Sequence, residues 1–403
     1  MTFATKALYD VRSMTRAAQL ATFIGIALTV LAAIHWYVWL RLVVAPEPAP
    51  GLRRLLTAAF VVLFLTIPVA FYVARVRDLA ERRLLAMPGY VWLGVVFILF
   101  MLLLGTDIVR IAGAIVQRLV SDVPPDDPDR RLTVARLFAG AIAFVGGGAS
   151  LTALRSGLGP VEVKEVRVQL DRLPKEMHGT TIVQLSDVHV GPTIGRDFIE
   201  DIVQRVNALK PDIVAITGDL VDGSVSSLAD QVAPLANLVS RFGTYFVTGN
   251  HEFYSGSESW CRKLTSLGMR VLRNERVSIG EGAQSFDLAG VEDHSGGRFG
   301  APSDVAKATD GRDEKRELVL LAHQPRSAFA ADRHGVGLQL SGHTHGGQIW
   351  PWNYFVYLQQ PVVAGLSRVG RTLVYVSRGT GYWGPPMRLR APAEITRIVL
   401  ESA

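Results

Sequence analysis

Charge and sulfur are what this chain has little of. Only 19% of its 403 residues are charged and 49% are hydrophobic, against roughly 25% charged in ordinary soluble domains. That excludes a disordered chain and a wholly water-soluble one. A single cysteine, Cys261, excludes an intrachain disulfide, a thiolate zinc site and an iron–sulfur cluster. Any metal here is held through nitrogen and oxygen. The chain also has no G-x-S-x-G and no G-x-x-x-x-G-K-[ST], and His251-Glu252 lacks the second histidine of H-E-x-x-H. Covalent serine chemistry and nucleotide-driven work therefore have no machinery in it.

What charge there is falls unevenly. The net charge of +6 divides into +7 over residues 1–160, with 16 Lys and Arg against 9 Asp and Glu, and −1 over the remainder. Basic residues of that kind flank apolar runs, which suits lipid headgroups and topology; a nucleic-acid binder carries its basic face on the folded domain. No nucleic-acid partner is expected.

Four charge-free apolar runs, at 17–40, 55–74, 84–106 and 137–154, are each about long enough to cross ~30 Å of hydrocarbon as a helix. Trp36, Tyr37, Trp39, Tyr90 and Trp92 lie near their ends, where interfacial anchors sit. Residues 1–155 thus read as a membrane region of four transmembrane helices. The fourth is short and carries Gly146, Gly147 and Gly148, which membrane helices tolerate. An even number of spans puts the N-terminus and the C-terminal domain on one side. That side carries ten flanking basic residues (among them Lys6, Arg12, Arg75, Arg77 and Arg82) against eight opposite, a slight cytoplasmic lean. His35, ionisable and inside the first span, sits close to the interface beside Trp36.

After Arg155 the apolar runs shrink to four to seven residues and alternate with helical patterns, which is α/β texture. Strands are predicted at 161–170, 181–185, 213–217, 244–247, 285–289, 318–322, 338–341, 372–377 and 395–400, and helices at 196–209, 227–241 and 257–267. Residues 292–316 read as a loop or lid.

Five of these strands end in the same kinds of residue. Ile182-Val183-Gln184-Leu185 runs into Ser186-Asp187-Val188-His189, and Ile213 to Ile216 into Thr217-Gly218-Asp219-Leu220-Val221-Asp222. Tyr245-Phe246-Val247 leads to Thr248-Gly249-Asn250-His251-Glu252, Leu318 to Ala322 leads to His323, and Leu338 to Leu340 leads to Ser341-Gly342-His343-Thr344-His345. Open α/β sheets place their sites at such C-terminal tips, so the polar residues should converge. Two divalent cations ~3.5–4 Å apart need a bridging carboxylate and a mixed oxygen and imidazole shell, which favours Mn, Fe or Zn over an all-oxygen cage. Asp-x-His, if extended, puts both side chains on one face. Glycine ahead of a ligand, as at Gly218, Gly249 and Gly342, lets the backbone turn sharply and pass close to the ions.

The set Asp187-x-His189, Gly218-Asp219-x-x-Asp222, Gly249-Asn250-His251-Glu252, His323 and Gly342-His343-x-His345 resembles the full motif set of the calcineurin-like metallophosphoesterases. The stretches Gly346-Gly347-Gln348 and Tyr375 to Gly379 are similar to the bacterial YkuE/YaeI-like branch, and the spans resemble those of transmembrane proteins with a metallophosphoesterase domain. The resemblance implies two packed mixed β-sheets flanked by helices over residues 156–403. It also implies two divalent metal ions, one held by Asp187, His189 and His345 and one by Asn250, His323 and His343, with Asp219 bridging. His251 matches the family histidine that contacts the phosphate and protonates the leaving oxygen. The expected activity is hydrolysis of a phosphomonoester, phosphodiester or pyrophosphate by water activated at the metals, in a multi-pass protein of the bacterial plasma membrane, with a lipid-linked substrate among the options. A non-catalytic membrane scaffold that keeps the fold is the alternative, and a transporter has little support without a buried acidic pair.

Other residues have plainer readings. Asp222 and Glu252 read as supporting or capping carboxylates, Asp293 and His294 as loop residues, and Cys261 as packing. Trp350, Trp352, Tyr354 and Phe355 either fill the core or form a rim that meets lipid.

Overall fold

A computed structural model describes residues 16–74, 79–120 and 127–403; Lys6, Arg12, Arg75 and Arg77 of the charge count lie outside them. The chain divides into two compact units, one of residues 1–68 and 95–149, the other of residues 69–94 and 150–403.

The first four helices are α1 (Arg16–Trp39), continued by a π-helical turn at Leu40–Val44, then α2 (Pro50–Val73), α3 (Leu79–Val120) and α4 (Pro128–Leu158). Each contains a stretch long and apolar enough to cross a membrane: Ala21–Val44, Pro50–Val73, Arg83–Gln117 and Pro128–Leu158. The chain is a membrane protein. In the first unit α4 runs unbroken through its three glycines, and a Cβ on Gly146 would meet Leu99 Cδ2 at 2.5 Å; the small residue is what lets α3 and α4 approach. Asp107 of α3 is paired: Arg41 Nη2 lies 2.5 Å from its Oδ1, and Tyr37 donates to its Oδ2 at 2.7 Å. A lone acid in an apolar helix is expensive, and these two partners offset that cost. His35 is buried, with Nδ1 2.8 Å from the Leu31 carbonyl.

The second unit holds twelve strands among the described residues, in two mixed six-stranded sheets. The first sheet has the order β1 (Glu162–Leu170), β12 (Glu394–Ser402), β2 (Thr181–Leu185), β3 (Ile213–Ile216), β4 (Thr244–Phe246) and β5 (Arg270–Val271). Its β2, β3, β4 and β5 are parallel, and β12 is antiparallel to β2. The second has β10 (Gly365–Val369), β11 (Thr372–Val376), β9 (Leu338–Ser341), β8 (Leu318–Leu321), β7 (Gln284–Gly290) and β6 (Glu275–Glu281), with β11, β9, β8 and β7 parallel.

Alternation along the strands builds the layers. Ile182, Ile213 and Ala215 face inward onto Phe286, Leu288, Val319 and Leu340 of the other sheet. Their neighbours Val183, Val214 and Ile216 face outward onto α5 (Arg196–Ala208), α6 (Val225–Val232) and α8 (Ser257–Ser266), through Ile199, Ile202, Leu228 and Trp260. Odd and even side chains of one strand thus fill two cores.

All nine predicted strands are present within two residues. Three more, β5, β6 and β10, are edge strands with a single fully buried residue between them, so no apolar run marks them. The helix predicted at 227–241 is shorter: α6 ends at Val232 and a 3-10 turn holding Pro234 follows, since a proline ring cannot continue the α-helical ladder. Residues 292–316 are not a free lid. They contain the helical turns His294–Phe299 and α9 (Val305–Thr309), and Val305 and Ala308 pack beneath Leu318 and Leu320 of β8.

Candidate metal centre

The parallel strands point their C-terminal ends at one place. From β2 come Asp187 and His189, and from β3 Asp219 and Asp222. β4 leads into α7 (Asn250–Ser255), which brings Asn250 and His251; β8 brings His323, and β9 His343 and His345. Asp187, His189, Asp219, His251, His323, His343 and His345 have side chains gathered there, and Asn250 stands next to His251 at the start of α7.

Two groups of donors form. Asp187, His189 and His345 present one ligand atom each within 4.8 Å of one another, as do Asp219, His323 and His343. Asp219 Oδ2 lies between them, 3.1 Å from His323 Nε2 and 3.9 Å from His189 Nε2. His189 Nε2 is 3.1 Å from His345 Nε2, and His343 Nδ1 is 3.2 Å from His323 Nε2. A third grouping, His189, Asp222 and His251, is accounted for by hydrogen bonds: Asp222 Oδ1 is 3.0 Å from His189 Nδ1 and 2.5 Å from His251 Nδ1.

The backbone differs from the extended tips expected. Asp187, His189, Asp219, His343 and His345 all have positive φ, between 51° and 71°, so each Asp-x-His or His-x-His pair is brought together by left-handed turns and not by strand alternation. Five non-glycine residues in that region, each costing ~1–2 kcal/mol, persist only where the surroundings over-determine them. Gly218 has φ +85°. Gly249 and Gly342 have ordinary φ and serve by their lack of a side chain: a Cβ on Gly249 would strike Asp219 Oδ1, and one on Gly342 would strike Asp187 Oδ2.

These residues fit cations. His323 Nδ1 lies 2.7 Å from the Thr217 carbonyl and so donates, leaving Nε2 turned to Asp219 and His343. His189 Nδ1 is committed to Asp222, leaving Nε2 turned to His345. Nitrogen lone pairs facing each other across ~3 Å, with carboxylates beside them, are the donor set of a transition-metal site. The Asn250 Oδ1 is buried with no hydrogen-bond partner, as a ligand oxygen would be. The electrostatics agree. Burial opposes a charge on His323, yet Asp219 overrides it and raises the imidazole well above its usual range, a proton standing where a cation would. Burial and the neighbouring His323 push His343 down to about 3, and burial and His189 hold His345 well below its usual range; neutral imidazole is the ligating form.

His251 is set apart. It is partly exposed, and although burial opposes its charge, Asp219 and Asp222 push it up to about 9, so it carries a proton at neutral pH. Burial works against the Asp222 carboxylate too, but His189 and His251 hold it at about 2.

Glu252 is fully buried and accepts from the backbone N–H groups of Asp219, Leu220 and Gly249 at 2.9, 2.8 and 2.6 Å. Asp293 is buried, accepting from Ser295 N and Gln324 Nε2; His294 is exposed. Two residues had no mark in the sequence. Arg388, fully buried, donates to the carbonyls of Gly381 and Ala391 with Nη2 3.3 Å from His345 Nδ1, and Trp383 sets its ring edge-on to His251 at 5.7 Å. One arginine among many and one tryptophan in a loop carry no pattern to find them by.

The fold and site define a membrane protein whose α/β half gathers histidines and carboxylates at the tips of two packed sheets. Residues 180–347 match the calcineurin-like phosphoesterase family. The chain is similar to the transmembrane protein with metallophosphoesterase domain of Bos taurus, 38% identical over 411 residues covering 96% of this chain and 89% of that protein. It is also similar to the protein of that name in Danio rerio, 35% identical over 91% of this chain and 86% of that one. A third relative is the uncharacterized metallophosphoesterase YkuE of Bacillus subtilis, 30% identical over 66% of this chain and 94% of that one. The chain belongs to the calcineurin-like metallophosphoesterases.

Proposed function

We propose that this protein is a membrane-anchored, dinuclear metal-dependent hydrolase of phosphomonoesters, phosphodiesters or pyrophosphates, with residues 156–403 as its catalytic domain and residues 1–155 as its membrane region. One observation carries the reading: two triads of ligating atoms lie side by side, with Asp219 Oδ2 of one 3.1 Å from His323 Nε2 in its own triad and 3.9 Å from His189 Nε2 in the other, and the protonated His251 beside them. Asp187, His189 and His345 would hold one ion and Asn250, His323 and His343 the other, with Asp219 shared. Divalent Mn, Fe or Zn ions there would polarise the phosphoryl oxygens and acidify a water.

The chain's own residues supply the rest. His251 Nδ1 is held by Asp222, which fixes the ring and leaves Nε2 to give its proton to the departing oxygen, a contribution of ~10²–10⁴ in rate. His251 N donates to Asp219 Oδ1 at 2.9 Å, so the acid and the shared carboxylate keep a fixed spacing. Trp383, Tyr254 and His189 all set their rings against the imidazole, at 5.7, 5.5 and 4.6 Å between centroids. The protein is taken as multi-pass in the bacterial plasma membrane, the count of flanking basic residues tipping the catalytic domain toward the cytoplasm.

The test is elemental analysis of the purified full-length protein together with hydrolysis of bis(p-nitrophenyl) phosphate and p-nitrophenyl phosphate. About two transition-metal ions per chain and chelator-sensitive turnover are expected. Stray metal only, with no chelator-sensitive hydrolysis of either ester, would overturn the reading.

A further inference from the structure

The second unit carries an aromatic surface that hydrolysis leaves unused. The short helix α10 (Trp352–Val356) buries none of its residues. Trp352, Tyr354, Phe355, Tyr357 and Leu358 are between 44% and 82% exposed. So many large apolar side chains side by side are unusual on a water-facing surface and mark a contact site.

The segment is held firmly. Gln348 Nε2 donates to the carbonyls of Trp383 and Pro385 at 2.9 and 3.1 Å, Trp383 N donates back to Gln348 Oε1 at 3.0 Å, and Trp350 N donates to the Leu389 carbonyl at 3.1 Å. It is therefore tied to residues 383–389, and those have two further neighbours. On one side Trp383, half exposed, rests on His251. On the other, Arg388 N donates to the Ala153 carbonyl of α4 at 2.8 Å. A Cβ on Gly157 of α4 would strike the Pro386 carbonyl, and one on Gly94 of α3 would strike Met387 Sδ. Gly94, Ala153 and Gly157 all belong to helices long and apolar enough to span a bilayer. Residues 383–389 thus touch residues of two membrane-spanning helices, the aromatic segment and the candidate general acid.

We infer that residues 350–358, with Trp383, seat in the headgroup layer of the bilayer that holds the chain's own helices, and that the site takes its phosphoester from a lipid of that layer. Amphipathic rings favour this depth. Arg390 places its guanidinium 5.6 Å from the Trp350 ring centroid, beside the rings where a lipid phosphate would lie. A substrate confined to the same layer is met at high effective concentration, so the pocket needs no tight hold on the remainder of the molecule. The lipid-substrate half rests on the hydrolytic reading; the docking half does not.

The test uses full-length protein in phosphatidylcholine–phosphatidylglycerol vesicles. In a Cys261→Ala background, Tyr354→Cys and Leu358→Cys are labelled with an environment-sensitive fluorophore, with Ser226→Cys, on the exposed start of α6, as control. The labels at 354 and 358 should shift to the blue and be quenched at least twofold by lipids with spin-labelled chains, and the control should not respond. Labels at 354 and 358 that behave like the control, or that are shielded only when the chain is crosslinked to a second copy, would overturn the docking. With the double variant Trp352→Glu and Phe355→Glu, hydrolysis of a phospholipid in the vesicles should fall at least tenfold while that of a soluble aryl phosphodiester holds. Equal loss on both would overturn the lipid delivery. A wild type that hydrolyses neither ester would overturn the hydrolytic reading instead, and quenching would still decide the docking.

Discussion

Asp222 Oδ1 lies 2.5 Å from His251 Nδ1 and 3.0 Å from His189 Nδ1, so one carboxylate orients both the candidate general acid and a candidate metal ligand. Asp222→Asn should therefore cost about 10–100-fold in kcat, the usual range for losing such a supporting partner, with most of the metal retained. His251→Ala should spare metal altogether and lose about 10²-fold or more in rate. Asp219→Asn removes the charge that the two proposed ions would share and should empty the site. Metal analysis beside kcat for the three variants separates the roles; a His251→Ala protein without metal would make that histidine a ligand.

Glu252 ties the loops after β3 and β4 together through N–H groups of residues 219, 220 and 249. Glu252→Ala strands three buried donors at ~1–3 kcal/mol each. A loss of about 3 kcal/mol or more is expected, read as a thermal unfolding midpoint lower by ~10 °C for a unit of this size. Glu252→Gln keeps one acceptor oxygen and should recover part of it. An unchanged midpoint for the alanine variant would refute the clamp.

Gly342 has no positive φ, yet a Cβ there would strike Ser186 Oγ and Asp187 Oδ2. Gly342→Ala should displace Asp187 and lower metal occupancy and turnover together by tenfold or more, while circular dichroism stays that of the folded protein. Alanine accepted with full occupancy would show that the tip can shift without loss.

Cys261 is buried against the helix layer, and burial pushes its thiol up to about 12. Only about one molecule in ten thousand carries a thiolate at pH 8, and the thiolate is the reactive form. A disulfide reagent should titrate one thiol per chain after denaturation and react at least 100-fold more slowly before it. Rapid reaction in the folded protein would overturn the reading of Cys261 as a packing residue.

The sequence by itself determined the spans, nine of the strands and the ligand-type residues, because each is written locally. A run of about twenty apolar residues has one cheap environment, a strand shows its period within five residues, and Asp, Asn and His at successive strand ends need only be counted. The tertiary structure decided what depends on residues far apart in the chain. It turned Asp222 from one of several supporting acids into the partner of both His189 and His251, and it paired Asp107 with Arg41, 66 positions away. It drew Val305 and Ala308 out of an apparent loop into the core. It brought the candidate ligands together by left-handed turns where alternation was expected, and it left the aromatics from Trp350 to Phe355 exposed, outside the core. Composition names an aromatic residue in the same way whether it is buried or wet; only the packing of distant strands and helices around it says which.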